Sequence, residues 1–165
     1  EKLDTGPVCN IYKINLENSL NANDVSEKLS LLAAEKILDN IDNILDDSAK
    51  FIEQNHLKAT YASKIQKVEG KIDWNETAEN IVGKINGLYP IPGAFFIFKG
   101  ERYKILKGEI SSGIGTPGEV VSDYLEIACG NKQSIKINEI QRQGKKPQNI
   151  GEFMLGSQIK KGSII

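Results

Sequence analysis

The sequence predicts two unlike parts. Residues 1–57 read as an α/β remnant, one strand and one helix of an open Rossmann-like sheet, and residues 58–165 as a small antiparallel β-barrel of OB type with one N-terminal helix. Three observations point there. An apolar repeat at three- and four-residue steps fills the stretch from Asp24 to Leu45, five short β-rich runs crowd the chain after Gly93, and the charge reverses between the two parts. Residues 1–57 hold five lysines against eleven acidic residues, a net −6, whereas residues 58–165 hold sixteen basic against eleven acidic, a net +5. A reversal of that size marks two different surfaces, the second able to attract a polyanion, although a modest basic excess is also common where no polyanion binds.

In chain order, Pro7 to Leu16 is rich in β-formers and is expected as a strand, with Asn21 to Asp24 supplying a turn and an N-cap. Val25, Leu29, Leu32, Ala33, Ile37, Ile41 and Leu45 then form the stripe of an amphipathic helix that ends or breaks at Asp46-Asp47-Ser48. A lone strand and one helix make no stable core, so they are expected to be the last elements of an α/β domain whose earlier strands lie elsewhere. The boundary is set near residue 57. A second helix follows Asn75, taken as its N-cap, with Ala78, Ile81, Val82 and Ile85 on one face, Gly87 at its C′ position and Tyr89-Pro90-Ile91-Pro92-Gly93 as its stop. Strands are expected at 94–98, 102–110, 119–121, 124–129 and 134–141. The glycine-rich stretch from Gly113 to Gly118 lacks the GK[ST] ending of a phosphate loop and reads as a turn.

With 39% hydrophobic and 26% charged residues, the composition is that of an ordinary globular protein. No run is long enough for a membrane helix and no signal-peptide pattern is present, so no membrane role and a cytoplasmic location are expected. Cys9 and Cys129 show no metal-ligand or CxxC spacing and are expected as small apolar residues, with no metal. Trp74 is expected as a core anchor, and His56, in the polar connector, as a solvent-exposed residue.

Four blocks carry a further signal: Leu3-Asp4-Thr5-Gly6 near the start, ATYASKIQKVEGKIDW from Ala59 to Trp74, PIPGA from Pro90 to Ala94, and QRQGKKP from Gln141 to Pro147. In this order and spacing they resemble the C-terminal half of the methionyl-tRNA formyltransferase family, from Lys2 to the end of the chain. The resemblance implies transfer of a formyl group from 10-formyltetrahydrofolate to the amino group of methionine on initiator tRNA, by a monomer without metal. It also implies that the folate pocket, with the Asn and His of the family's site, precedes Glu1. On that expectation the chain alone binds tRNA and does not catalyse.

Such a transfer needs a neutral amine, a group that takes its proton, and donors for the tetrahedral oxyanion. Taken alone, Asp4-Thr5-Gly6 reads as a turn. The resemblance implies instead that Asp4 is the catalytic carboxylate that orients an imidazole or water. It likewise implies tRNA contacts for Lys64 and Lys67 in the interdomain block and for Arg142, Lys145 and Lys146 in the barrel loop, residues that charge alone would leave as a solvated surface. The family commonly has Arg where Asn86 stands, which removes one cation from that helix. Sugar-nucleotide formyltransferases and formyltetrahydrofolate hydrolases share the DTG motif and are the alternative, but they need no tRNA surface.

Overall fold

The computed structural model describes residues 3–17 and 19–165. Glu1 and Lys2, which open the first motif, lie outside them, as does Asn18. The chain divides into two compact units, residues 1–20 with 24–64 and residues 21–23 with 65–165.

The principal element of the first unit is helix α1, Ala22–Leu45, which belongs to it from Asp24 onward. The Asn21 side chain accepts a hydrogen bond from the Asn23 amide at its start, and Asp47, at φ 60°, ends it. The expected strand from Pro7 to Leu16 is not formed as such. Val8 alone pairs, exchanging hydrogen bonds of 2.9 and 3.0 Å with Ile52. A strand needs a neighbour along its length, and the unit's other chain segments supply one residue of it. The expected apolar stripe is also rotated. Leu32, Lys36, Asn40 and Ile44 are the half-buried line of α1, whereas Ile37, Ile41 and Leu45 are exposed. Polar contacts explain the rotation: Asn40 accepts from Asn10 at 2.8 Å and donates to the Tyr12 hydroxyl at 2.9 Å, and the Lys36 ammonium stands 5.7 Å from the Tyr12 ring centre.

The second unit holds the core. Helix α2, Ala78–Gly87, starts at Thr77, whose side chain accepts from the Asn80 amide. Asn75, expected as its cap, is engaged one turn earlier by the Asp73 carboxylate, and Gly87 is the last helical residue and not the residue beyond it. Ala78, Ile81 and Ile85 are fully buried, the face that the apolar spacing predicts.

The sheet comprises β1 (Ala94–Phe98), β2 (Glu101–Ser111), β3 (Glu126–Ala128), β4 (Ser134–Arg142) and β5 (Gln148–Asn149), all pairs antiparallel, in the order β1-β2-β4-β3 with β5 on β4. Helix α3, Ile150–Gly156, follows β5 directly. The expected OB-type barrel is corrected to an open sheet with helices, because no ladder joins β1 to β3. The segments that reach the two edges pair at single residues: Lys71 with Phe95 on one side and Val120 with Ile127 on the other. The expected strand 119–121 is one of these, held between Gly118 at φ 86° and the turn before Leu125.

Trp74 is a core residue, 6.1 Å from Phe96 between ring centres. The stretch from Gly113 is a turn pinned to the sheet: the Gly113 amide donates to the Ser134 hydroxyl at 2.8 Å and to the Glu126 carboxylate at 3.0 Å. Cys129 is buried among apolar side chains, which pushes its thiol up to about 11.

Two glycines test the packing with opposite signs. A Cβ on Gly130 would stand 1.9 Å from the Asn75 carbonyl oxygen, whereas one on Gly83, inside α2, would meet nothing within 4 Å. Gly130→Ala is expected to cost about 1–3 kcal/mol of unfolding free energy, and Gly83→Ala to add about 0.5–1 kcal/mol by relieving the helix of a flexible residue. Urea denaturation of the two variants beside the parent chain measures both.

Candidate nucleic-acid interface

The register of β2 and β4 sets Tyr103 opposite Arg142. Glu101, two residues before Tyr103 on the same strand, shares its side of the pleat. Its carboxylate is thereby placed between them: Arg142 Nη2 donates to one oxygen at 2.5 Å, and the Tyr103 hydroxyl donates to the other at 2.9 Å. The hydrogen bond from Arg142, then that from Tyr103, holds the Glu101 carboxyl below the usual carboxylate range. Burial, reinforced by Glu101, raises the Tyr103 phenol.

Beyond Arg142 the chain turns sharply. The Lys145 amide donates to the Arg142 carbonyl at 3.0 Å, and Gly144 occupies the third position of that turn at φ 72°, a conformation that costs glycine little. The Gln141 side chain donates to the Lys145 carbonyl at 2.9 Å and fixes the loop from the strand side. Lys145 and Lys146 are thus carried to a concavity of about 610 Å³ that Arg142 also lines. Its apolar floor is Tyr103 against Phe153, edge to face at 5.8 Å. Phe98 forms a wall, with the Lys99 ammonium 5.4 Å from its ring centre.

Three of the five cations that the sequence singles out therefore share one site. Lys67 opens a 3₁₀ turn, Lys67–Gly70, and does not line this concavity, and Lys64 is the last residue of the other unit. Glu101, Phe98 and Lys99 were not anticipated. A partial signal was present, since Glu101 and Tyr103 alternate on one strand face and face an arginine of opposite charge on the next.

Asp4 lies in an exposed turn at φ 59°. Gln54 clamps that turn, its amide donating to the carbonyls of Asp4 at 3.1 Å and Gly6 at 2.7 Å. The turn expected from Asp-Thr-Gly is present, with the Asp4 carboxyl at its surface. His56 is exposed on a short 3₁₀ turn, His56–Lys58. Among the described residues no group of three or more His, Cys, Asp or Glu is placed to hold a metal ion, and no helix is long and apolar enough to cross a membrane.

The family described as "Formyl transferase, C-terminal domain" matches residues 64–158. A methionyl-tRNA formyltransferase of Pelagibacter ubique is 66% identical over 165 residues, covering 100% of this chain and 53% of that protein. The methionyl-tRNA formyltransferase of Rickettsia prowazekii is 39% identical over 168 residues, covering 99% and 54%. The chain spans about half the length of these curated relatives. Among solved structures, HypX from Aquifex aeolicus in complex with tetrahydrofolic acid superposes with a TM-score of 0.68 at 15% identity, over 99% of this chain and 32% of that one, a likeness of fold.

The Glu101 bridge has a pH signature. Because its folded carboxyl is held below the ordinary value of 4.5, the stabilisation is present above that value and is lost as pH falls through the lowered one. Glu101→Gln is expected to unfold at lower urea than the parent at pH 7, with the gap closing as pH falls below the ordinary 4.5 and through the lowered value. A gap that stays constant across that range would show that the ionised carboxylate contributes nothing there.

Proposed function

We infer the function from one premise: the chain belongs to the formyl transferase family, whose C-terminal domain occupies residues 64–158. Its likeness over its whole length to the C-terminal part of curated methionyl-tRNA formyltransferases supports the finer reading. We propose that the whole protein moves formyl from 10-formyltetrahydrofolate to the amino group of methionyl initiator tRNA, in the cytoplasm. Residues 1–57 complete the catalytic domain and residues 58–165 hold the tRNA. The observation that carries this reading is the tight turn at Gly144, which sets Lys145 and Lys146 beside Arg142 at one concavity.

The proposed division of labour follows from the chemistry. The attacking methionine amine sheds a proton as the carbon–nitrogen bond forms, and a carboxylate on a turn is suited to orienting the imidazole or water that receives it. Asp4 takes that role in this proposal, and Gln54 clamps the turn that carries it. The folate donor and the rest of the catalytic groups lie outside this chain. Phosphates of the acceptor RNA are met by Lys64, Lys67, Lys145 and Lys146, which supply affinity and register without reading bases. Arg142 contributes less charge because Glu101 neutralises it.

Two outcomes test the proposal. If the four lysines each meet a phosphate, tRNA binding by the 165-residue chain should weaken with salt at a slope near −3 to −4 in log K against log salt, and Lys145→Ala with Lys146→Ala should flatten it by about one to two units. Binding indifferent to salt and to the double substitution would return these lysines to an ordinary charged surface and favour a formyltransferase that does not act on tRNA. In the full-length protein Asp4→Asn is expected to lower turnover by about 10²-fold to 10⁴-fold with an unchanged melting temperature. Unimpaired turnover in that variant would remove Asp4 from the chemistry.

A further inference from the structure

The interior of the basic concavity is chemically unlike a phosphate cradle. Lys145 and Lys146 line it, yet so does a carboxylate, Glu101, which repels a phosphate. Beside it stand the half-buried ring of Phe98 and the planar guanidinium of Arg142, kept in one orientation by the Glu101 bridge. A nucleobase has the complementary groups. Its faces stack on an aromatic ring or a guanidinium plane, and its exocyclic amino group donates to a carboxylate. Each Glu101 oxygen accepts one protein hydrogen bond and retains further acceptor capacity. The volume of about 610 Å³ lies within the range of about 300–1,000 Å³ typical of sites for one small organic molecule.

We propose that this concavity is a subsite for one unstacked ribonucleotide of the bound RNA, its base against Phe98 and Arg142 with an amino group on Glu101, and its phosphate at Lys145 and Lys146. The proposal rests on the RNA-binding reading and goes beyond it: phosphate contacts alone carry no sequence information, whereas this subsite distinguishes bases that bear an exocyclic amine from uracil, which has none. Glu101 is the specificity-determining residue.

The experiment is a titration of the ¹⁵N-labelled 165-residue chain with CMP, AMP, GMP, UMP and inorganic phosphate, read from the backbone amides of Phe98, Glu101 and Gln148. The amino-bearing nucleotides are expected to move these amides with dissociation constants in the low millimolar range, at least about fivefold tighter than UMP or phosphate. Phe98→Ala should weaken CMP, AMP and GMP by about fivefold or more. Glu101→Gln, verified as folded by its unchanged amides elsewhere, should abolish the preference over UMP. A cytidine tetranucleotide binding more tightly than CMP assigns the site to a strand, and equal binding overturns that assignment in favour of a free nucleotide. If tRNA binds with its lysine-dependent salt slope while the amides stay unmoved, or if phosphate alone reproduces the shifts, the subsite is overturned and the RNA-binding reading stands. If tRNA itself does not bind, both fall.

Discussion

Helix α2 lies on the sheet through Ala78, Ile81 and Ile85, and that contact fixes the positions of the strands that build the candidate interface. It is a close approach. Gly108, midway along β2, faces the helix where a Cβ would stand 3.0 Å from Ile135 and 3.5 Å from the Ile85 terminal methyl. Each fully buried isoleucine contributes about 1.5–3 kcal/mol, so the three helical positions and Ile105, Ile135 and Ile137 beneath them anchor β2 and β4 side by side. Tyr103 then stands opposite Arg142 as a matter of register. The polar bridge at the far end of these strands is therefore a product of apolar packing, for a slip of one residue would turn Tyr103 and Glu101 to the opposite face.

Strand β4 joins two polar arrangements of different character. At its first residue, Ser134 is fully buried, and its hydroxyl donates to Glu126 at 2.6 Å while accepting from the Gly113 amide. That network satisfies its members and holds a loop in place, as buried polar groups must. At its last residue, Arg142 shares Glu101 with Tyr103 at the surface, where donors and acceptors keep unused capacity. Satisfaction at one end and spare valence at the other separate a structural network from a surface suited to a ligand.

The sequence was most legible where an element contains its own evidence. The three- and four-residue spacing of Ala78, Ile81 and Ile85 needs no partner to be recognised, and β1 matches its expected limits because Lys99-Gly100 forces a two-residue turn. Pairing was less legible. The segment from Pro7 to Leu16 has strand composition but finds one paired residue, and closure of the sheet depends on neighbours that no local pattern specifies. Strand β5 and helix α3 were missed because two and seven residues are too few to show a period, although Asn149 three residues before Glu152 is a helix-start signal, and Asn149 does cap there. In the candidate site, the cations of the loop after β4 were visible as a cluster. Glu101 and Phe98 join them across a strand pair and could be placed only once the register was known.

The exposed side of α1 sets how this chain behaves as a solute. Leu31, Leu38 and Leu45 recur every seven residues at 66%, 75% and 76% exposure, with Ile37 and Ile41 alongside at 50% and 37%. A line of that length lowers the free energy of any encounter that covers it, and a heptad repeat of leucine is readily matched by the same helix of another molecule. The overall formal charge of −1 provides little long-range repulsion to oppose such encounters. For the chain as it stands, added salt, which weakens a phosphate contact, leaves apolar association through these leucines intact or strengthens it.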